Sequence, residues 1–163
     1  MLGFFPGSTI GNLTDGEAIA FLARARKTLG QGKLLIGIDL IKDIDTLIAA
    51  YNDSARVTAA FNKNMLVRLN RELDGNFDLS AFEHRAIWNE AQHRIEMHLG
   101  SKADQGVTVA GRAFRFHAGE TIHTENCHKY TIDLFASLAA QAGWSLEKSW
   151  VSEAPEFAVL LLA

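Results

Sequence analysis

A glycine-bracketed turn near the start of the sequence, GSTIGN at residues 7–12, follows a short apolar run and precedes a predicted helix. In an α/β sheet, such a turn lies at the carboxyl ends of the strands, where ligands bind. Its backbone N–H groups, a hydroxyl and the Asn12 amide can meet the amine and carboxylate of a small substrate. The spacing alone favours a simpler interpretation, in which Gly7 and Gly11 shape the turn and Asn12 caps the helix.

Metal chemistry is not indicated by the sequence. His117, His123, Cys127 and His128 lie close together along the chain, but their spacing matches no known zinc pattern. Cys127 is the single cysteine among 163 residues, so no intramolecular disulfide can form and a reducing compartment is indicated. We therefore predict no metal site, and we interpret the three tryptophans, Trp88, Trp144 and Trp150, as core or lobe-interface residues.

The elements that must position this turn are predicted from hydrophobic periodicity. An apolar strand at residues 3–5, a helix over 16–29 capped by Thr14 or Asp15, and a nearly continuous apolar strand over 33–40 form a βαβ unit. Helices are predicted over 44–51, 54–73 and 130–142. The helix over 54–73 is expected to pack through an apolar side made of Val57, Ala60, Phe61, Met65, Leu66 and Leu69.

From residue 77 the sequence consists of short segments in which apolar and polar residues alternate. This pattern is typical of antiparallel strands with one solvent-exposed face. We predict an α/β fold with a partial core over 1–76, an inserted β-rich lobe over 77–128, and a helix with two terminal strands over 129–163. The formal net charge of -3 gives no electrostatic case for nucleic acid. No apolar run approaches the length of a membrane span. The composition favours a cytoplasmic protein.

Five stretches of the sequence, taken together and in collinear order, indicate one family. They are FPGSTIGN at 5–12, GIDLIKD at 37–43 with AYND at 50–53, VTAAFN at 57–62, RIEMHL at 94–99 and IHTENCHKY at 122–130. The sequence resembles the histidine-specific, S-adenosylmethionine (SAM)-dependent Nα-methyltransferases of the ergothioneine type. The resemblance implies a class I, Rossmann-like methyltransferase sheet with an inserted substrate lobe, and SAM as the cofactor of the family.

The resemblance also assigns substrate-binding residues. It places Asn12 and Tyr51 near the amino and carboxylate groups of the substrate, beside Gly7, and it matches Met97 to a residue that lines the substrate. Glu125 is matched to a carboxylate that accepts the imidazole N–H of histidine. Cys127 departs from the pattern, because many members carry serine there and a thiol is a weaker donor. The lone-residue alternatives are core packing for Met97 and a surface glutamate for Glu125.

In the family, the glycine-rich SAM loop and the acid that holds the SAM ribose lie upstream of the stretch matching 5–12. We therefore interpret this chain as the C-terminal half of such an enzyme, with an unknown cofactor site, and expect it to bind no SAM and to be inactive alone. The alternatives are a non-catalytic, amino-acid-binding or dimerising module, and a split enzyme. An unpaired edge near residues 2–6 predicts a homodimer or binding of the missing half.

Overall fold

Nine strands and four α-helices form a mixed α/β fold in the computed structural model, which describes all 163 residues. In chain order these are β1 (Leu2–Phe5), α1 (Asp15–Leu29), β2 (Lys33–Asp39), α2 (Ile44–Tyr51), α3 (Val57–Glu72), β3 (Phe82–Asn89), β4 (Arg94–Ser101), β5 (Gln105–Val109), β6 (Arg112–Phe116), β7 (Thr121–His128), α4 (Ile132–Gln141), β8 (Leu146–Val151) and β9 (Phe157–Leu162). Every helix expected from periodicity is present, with ends shifted by a few residues. The predicted α/β class is confirmed.

Two compact units are built from these elements. The first comprises residues 1–44, 89–95 and 126–163, and the second comprises residues 45–88 and 96–125. Helices α2 and α3 thus belong to the second unit, together with most of the β-rich segment. The functional division into ranges 1–76, 77–128 and 129–163 stays a prediction.

The first unit contains a four-stranded sheet in the order β1, β2, β9, β8. β1 and β2 are parallel, whereas β9 is antiparallel to both of its neighbours. The predicted βαβ unit is therefore confirmed, since α1 connects the parallel pair. β2 is mostly buried because it lies inside the sheet, and Ile36 and Ile38 are fully buried in the core with Leu22 and Phe135.

Helix α1 begins where the sequence provides a cap. The Thr14 hydroxyl accepts a hydrogen bond from the Glu17 backbone N–H, and the Glu17 carboxylate accepts one from the Thr14 backbone N–H at 2.9 Å. This reciprocal capping box satisfies two N–H groups that a helix start would otherwise leave open. Of the two predicted caps, Thr14 is the one used.

The second unit has its own apolar core, formed by Leu66, Phe77, Phe82, Leu99 and Val107. Around it lie the hairpin of β5 and β6 and a sheet whose order is β3, β4, β7. The expected apolar side of α3 is confirmed for Leu66, which lies in this core, and for Met65 and Leu69, which pack against it. It is wrong for Val57 and Phe61, which are each 67% exposed. The polar Asn62 is buried instead, and its amide makes two hydrogen bonds inside the unit.

Strand β1 is the outer strand of its sheet and pairs only with β2. Its alternate residues Leu2 and Phe4 are 61% and 68% exposed, so an apolar row lies along this edge. None of the four α-helices combines the length and apolar character that a membrane crossing needs. Of the tryptophans expected in the core or at a lobe interface, Trp144 is buried in the core, whereas Trp150 on the outer strand β8 is 45% exposed.

Candidate functional site

The turn after β1 is tied to the end of β2. Gly7 and Ser8 both have left-handed backbones, with φ of 75° and 56°, which reverses the chain directly after the strand. The buried Ser8 hydroxyl accepts a hydrogen bond from the Asp39 backbone N–H at 2.8 Å. This bond fixes the turn at the carboxyl ends of the parallel strands β1 and β2, the edge where the sequence predicts ligand binding.

Gly11 explains why the first and last sequence motifs occur together. A Cβ at Gly11 would lie 2.7 Å from the His128 carbonyl oxygen, so no larger residue fits. In return, the His128 Nδ1–H donates to the Gly11 carbonyl at 2.9 Å, which fixes the tautomer of this buried imidazole. The turn of residues 7–12 is thus packed directly against the end of β7.

Asn12 lies exposed at the end of a 3-10 turn that spans Thr9–Asn12. The interpretation of Asn12 as the cap of α1 is wrong, because Thr14 performs that role. The Asn12 side chain is therefore not required to begin the helix.

A buried charge network surrounds Cys127, and sequence reasoning missed it. The Lys129 side chain is 0% exposed, and its ammonium donates to Asp39 Oδ2 at 2.6 Å and to the Cys127 sulfur at 3.2 Å. Lys42 donates to the other oxygen, Asp39 Oδ1, at 2.6 Å. Burial acts to raise the pKa of Asp39, but the two ammonium groups outweigh it and hold that pKa below its ordinary value. The Cys127 sulfur is thus an acceptor that a buried ammonium holds in place.

Tyr51, at the end of α2, is held through its backbone. Asn62 Nδ2 donates to His84 Nδ1 at 2.9 Å and to the His98 carbonyl at 3.1 Å. Since His84 Nδ1 accepts, its Nε2 carries the proton and donates to the Tyr51 carbonyl at 2.9 Å. Asn62 is only 4% exposed, so this chain of hydrogen bonds runs through the interior of the second unit.

Glu125 lines a cavity of about 510 Å³ on the surface of α3. The cavity walls are largely apolar, with Phe61, Met65 and Leu69 on the helix, Leu73 directly after it, and Thr124 beside Glu125. Burial raises the pKa of the Glu125 carboxyl above its ordinary value. Glu125 is therefore a half-buried carboxyl group in a concave site, not the solvated surface glutamate that a single glutamate most often is.

The pKa of a second glutamate in the same cavity is shifted in the opposite direction. Glu72 accepts hydrogen bonds from Arg68 and Arg71, which lower its pKa to about 2. Two guanidinium groups thus already occupy Glu72. Of the two acidic groups that line this cavity, Glu125 is the one whose ionised form is disfavoured by burial, so a hydrogen-bond donor from a ligand would stabilise it.

Met97 is buried on β4, with 5% of its surface exposed, and its carbonyl accepts a hydrogen bond from the Thr124 hydroxyl at 2.8 Å. This bond connects the strand of Met97 to the residue that precedes Glu125. The predicted site residues thus fall into two groups: Gly7, Asn12 and Cys127 in the first unit, and Tyr51, Met97 and Glu125 in the second.

Comparison with known proteins shows the family of this chain. The family model described as "Histidine-specific methyltransferase, SAM-dependent" matches residues 1–163. The chain belongs to this family. Because the match extends over every residue, all five stretches that carried the resemblance lie within it.

Three known proteins are similar to this chain over most of its length. Histidine N-alpha-methyltransferase of Mycolicibacterium smegmatis is 44% identical over 160 residues, which is 96% of this chain and 50% of the relative. The protein of the same description from Mycobacterium tuberculosis is 42% identical over 162 residues, which is 98% of this chain and 50% of the relative. Ergothioneine biosynthesis protein 1 of Neurospora crassa is 30% identical over 162 residues, which is 18% of that protein. The chain spans about half the length of the two mycobacterial relatives.

The family uses SAM, so the fit of the residues to SAM can be tested. A nucleotide ribose is held by a carboxylate with free oxygens at the end of a strand. Asp39 is the carboxylate at the end of the parallel strand β2, and Lys42 and Lys129 occupy its two oxygens. Asp39 thus does not fit a ribose, and we assign no SAM contact to it.

Proposed function

We propose that this chain supplies the amino-acid-binding part of a SAM-dependent Nα-methyltransferase that acts on histidine or a close analogue. The environment of the Glu125 carboxyl group is the observation that supports the proposal. Its half-buried carboxyl lines an otherwise largely apolar cavity, and its pKa is raised by burial. Such a group gains from accepting the N–H of an imidazole, whereas an apolar side chain in the same place would desolvate the carboxyl further and offer it no hydrogen bond.

The chemistry asks mainly for positioning. SAM, when bound to a complete enzyme, supplies an electrophilic methyl group. The amino-acid part of the enzyme has to hold the carboxylate, fix the side chain and present a neutral amine at a defined place. Proton transfer contributes little, so residues that bind and orient the amino acid are the ones to look for.

Each substrate-binding residue has a distinct role in this proposal. Glu125 accepts one imidazole N–H, and Cys127, which lies on the same strand, makes a second and weaker contact to the ring. Asn12, Tyr51 and the backbone of Gly7 meet the amino and carboxylate groups. The family resemblance assigns Met97 to the substrate side chain, although Met97 is not among the residues that line the cavity of Glu125. Lys129 supports Cys127, since its ammonium donates to the sulfur and fixes its position.

The finer description of the fold belongs to the same proposal. We interpret the sheet of β1, β2, β9 and β8 as the C-terminal part of a class I methyltransferase sheet, with its antiparallel last strands. Because each oxygen of Asp39 already accepts a hydrogen bond from a lysine, we expect this chain alone to bind SAM weakly or not at all. On this proposal, activity requires residues that the present sequence does not supply.

Calorimetric titration of the purified chain with L-histidine, SAM and S-adenosylhomocysteine tests the proposal. Binding of L-histidine that is lost in Glu125→Gln, with no binding of SAM, is the expected result. Absence of histidine binding both alone and in the presence of the first half of the M. smegmatis relative would refute it. Tight binding of SAM by the chain alone would refute the expectation about the cofactor and call for a direct methyltransferase assay.

One observation favours a second function, that of a non-catalytic dimerising module. β1 is an outer strand with the exposed apolar residues Leu2 and Phe4, and such edges pair readily with another strand. The two functions are distinguished by adding the first half of the M. smegmatis relative and following methylated histidine by mass spectrometry. Product formation that depends on Glu125 supports the enzyme, whereas a stable homodimer that yields no product supports the module.

A further inference from the structure

A cluster of three metal-ligating side chains lies in the second unit, and the proposed function does not use it. Glu96 and His98 are two residues apart on β4 and so share one face of the strand, and His123 lies on the neighbouring strand β7. One ligand atom from each residue lies within 4.8 Å of the other two. The rings of His98 and His123 are stacked, with centroids 4.6 Å apart and planes inclined by 18°.

The hydrogen bonds of His98 resemble those of a metal ligand. Its Nδ1 lies 3.2 Å from the Thr121 hydroxyl, and its Nε2 lies 3.1 Å from Glu96 Oε2. A ligating histidine commonly donates its second ring N–H to an oxygen, which fixes the tautomer and turns the other nitrogen towards the metal. In the tautomer that donates Nδ1–H to Thr121, the Nε2 lone pair points towards Glu96 Oε2, and a cation between the two would be bound by both. In the other tautomer Nε2–H donates to Glu96 and Nδ1 accepts from the Thr121 hydroxyl, so zinc binding requires the ring proton to reside on Nδ1.

Glu96 makes the cluster more than a pair of surface histidines. It is 7% exposed, so its carboxylate is held in a fixed position by the surrounding strand residues and offers an oxygen donor beside His98. His123 is the exposed member, so the cluster is open to solvent on one side. Glu96 and the partly buried His98 thus provide two ligands in fixed positions. The exposed His123 provides a third ligand that is accessible from solvent.

We propose that Glu96, His98 and His123 bind a divalent transition-metal ion, with Zn²⁺ as the best-suited occupant. Two imidazole nitrogens and one carboxylate oxygen are a donor set that zinc prefers, at about 2.0–2.2 Å from each donor. Tetrahedral donors around such an ion are about 3.4 Å apart. The His98–Glu96 pair is already close to that separation, and the exposed His123 closes the set by rotating its side chain. The fourth position remains open to water.

Sequence reasoning placed His123 in a different group, with His117, Cys127 and His128. That grouping follows nearness along the chain, but the ligands of this cluster are brought together by the pairing of β4 with β7. The structure instead holds His128 against the Gly11 carbonyl. His117 lies beside Asp104, with its Nδ1 3.7 Å from the carboxylate. A metal at the cluster would cross-link β4 and β7 two residues before Glu125.

Titration with zinc after removal of metal by a chelator tests the proposal on the whole chain. We expect one zinc per chain, and we expect His123→Ala and Glu96→Gln to weaken binding at least tenfold. His117→Ala is the matched control, since it removes an exposed histidine that follows β6 in the same unit. Cys127→Ala is the second control, because a thiol binds zinc well. Both controls should bind as the unmodified chain does.

Two further readouts keep the test independent of activity and of folding. Zinc should raise the thermal midpoint of the unmodified chain and of His117→Ala, but not that of His123→Ala, because binding to the folded state alone stabilises it. Co²⁺ in place of zinc should give the visible absorption of a four-coordinate site without thiolate bands. No zinc binding, or equal binding by His123→Ala and the unmodified chain, would overturn the proposal and leave an ordinary hydrogen bond between His98 and Glu96.

Discussion

His84 donates its Nε2–H to the backbone carbonyl of Tyr51 at 2.9 Å, and the proton is on that nitrogen because Asn62 donates to the other one. A buried amide therefore decides the tautomer that holds the end of α2. The residue that the family resemblance assigns to the substrate is thus positioned by two residues that need not contact a substrate. Asn62 and His84 are positioning residues in this sense.

The variant Asn62→Asp should make the stability of the chain depend on pH. Both amide hydrogen bonds are lost, and the introduced carboxylate forces His84 to carry two protons if its ring is still to donate to Tyr51. The pKa of His84 in the folded variant would then be raised. Its contribution is fully present below the ordinary histidine pKa of about 6.5 and is lost as the pH rises through the raised value.

Urea unfolding at pH 5.5 and pH 8 measures this effect. We expect Asn62→Asp to lose about 1–3 kcal/mol at the higher pH, the cost of unsatisfied buried groups, and to recover part of it at the lower pH. Asn64→Asp is the control, since Asn64 is exposed on the same helix. Equal losses at both pH values would contradict the assigned tautomer.

Replacing Glu125 with Gln should separate binding from stability. Burial raises the pKa of Glu125, so its ionised form is disfavoured in the folded chain, and a neutral amide removes that penalty at neutral pH. We expect the thermal midpoint to stay the same or rise, and the affinity for L-histidine to fall by about 1–3 kcal/mol.

Glu72→Gln is the matched control for Glu125→Gln. Glu72 lines the same cavity, but its carboxylate is engaged by two arginines. This variant should bind L-histidine as the unmodified chain does. A similar loss of affinity in both variants would mean that the charge of the cavity matters and that Glu125 has no specific role.

Replacing Cys127 with Ser should strengthen histidine binding. A hydroxyl is the better donor, and Lys129 can donate to the serine oxygen as it does to the sulfur. Calorimetry should therefore rank Cys127→Ser above the unmodified chain and Cys127→Ala below it. If the alanine variant binds as tightly as the serine variant, Cys127 makes no contact with the ring.

The buried pair of Asp39 and Lys129 should respond unequally to removal of its two members. Asp39→Asn removes the carboxylate that pairs with the fully buried Lys129, which costs about 3–5 kcal/mol. Lys129→Met should cost at most about half as much, because Lys42 still pairs with Asp39. Denaturant unfolding of both variants gives the comparison, and a larger loss in Lys129→Met would contradict it.

The same pair predicts the behaviour of the chain in acid. The pKa of Asp39 is lowered below its ordinary value of 3.8, so its contribution to stability is present above that value and lost as the pH falls through the lowered pKa. The stability of Asp39→Asn should therefore depend less on pH in this range than that of the unmodified chain. Parallel acid titrations followed by circular dichroism would detect the difference.

Self-association should involve the edge of β1. Phe4→Glu places a charge in the middle of the exposed row and should shift sedimentation velocity profiles towards monomer. Trp150→Glu is the control, since Trp150 is a partly exposed aromatic residue on β8, the opposite outer strand. A strictly monomeric unmodified chain at high protein concentration would remove the basis of this prediction.

The elements of this fold were predictable because they depend on local patterns. The continuous apolar run that became β2, the Thr14 capping box and the periodicity of α4 are all visible within short stretches of sequence. The burial of Asn62 on α3 was not predictable in this way, because its hydrogen-bond partners on β3 and β4 lie 22 and 36 residues away in the sequence.

The site residues were found by resemblance, but the groups that support them were not. Lys129 pairs with Asp39 across 90 residues of sequence, and a lysine after a strand gives no sign that it is fully buried. Glu96, His98 and His123 were missed for the same reason. In each case the informative fact is which strands lie side by side, and no pattern within a single stretch carries it.

The first unit is made of three separate segments of chain. A chimera of two relatives with a single crossover point therefore cannot take the whole unit from one parent. The short segment 89–95 includes His93, whose carbonyl accepts the Lys129 backbone N–H at 2.8 Å. A chimera that exchanges residues 45–125 as one block would replace this segment with the residues of the relative, while Lys129 stays unchanged. Engineers who wish to transplant substrate preference between relatives should therefore exchange 45–88 and 96–125 and leave the intervening residues 89–95 native.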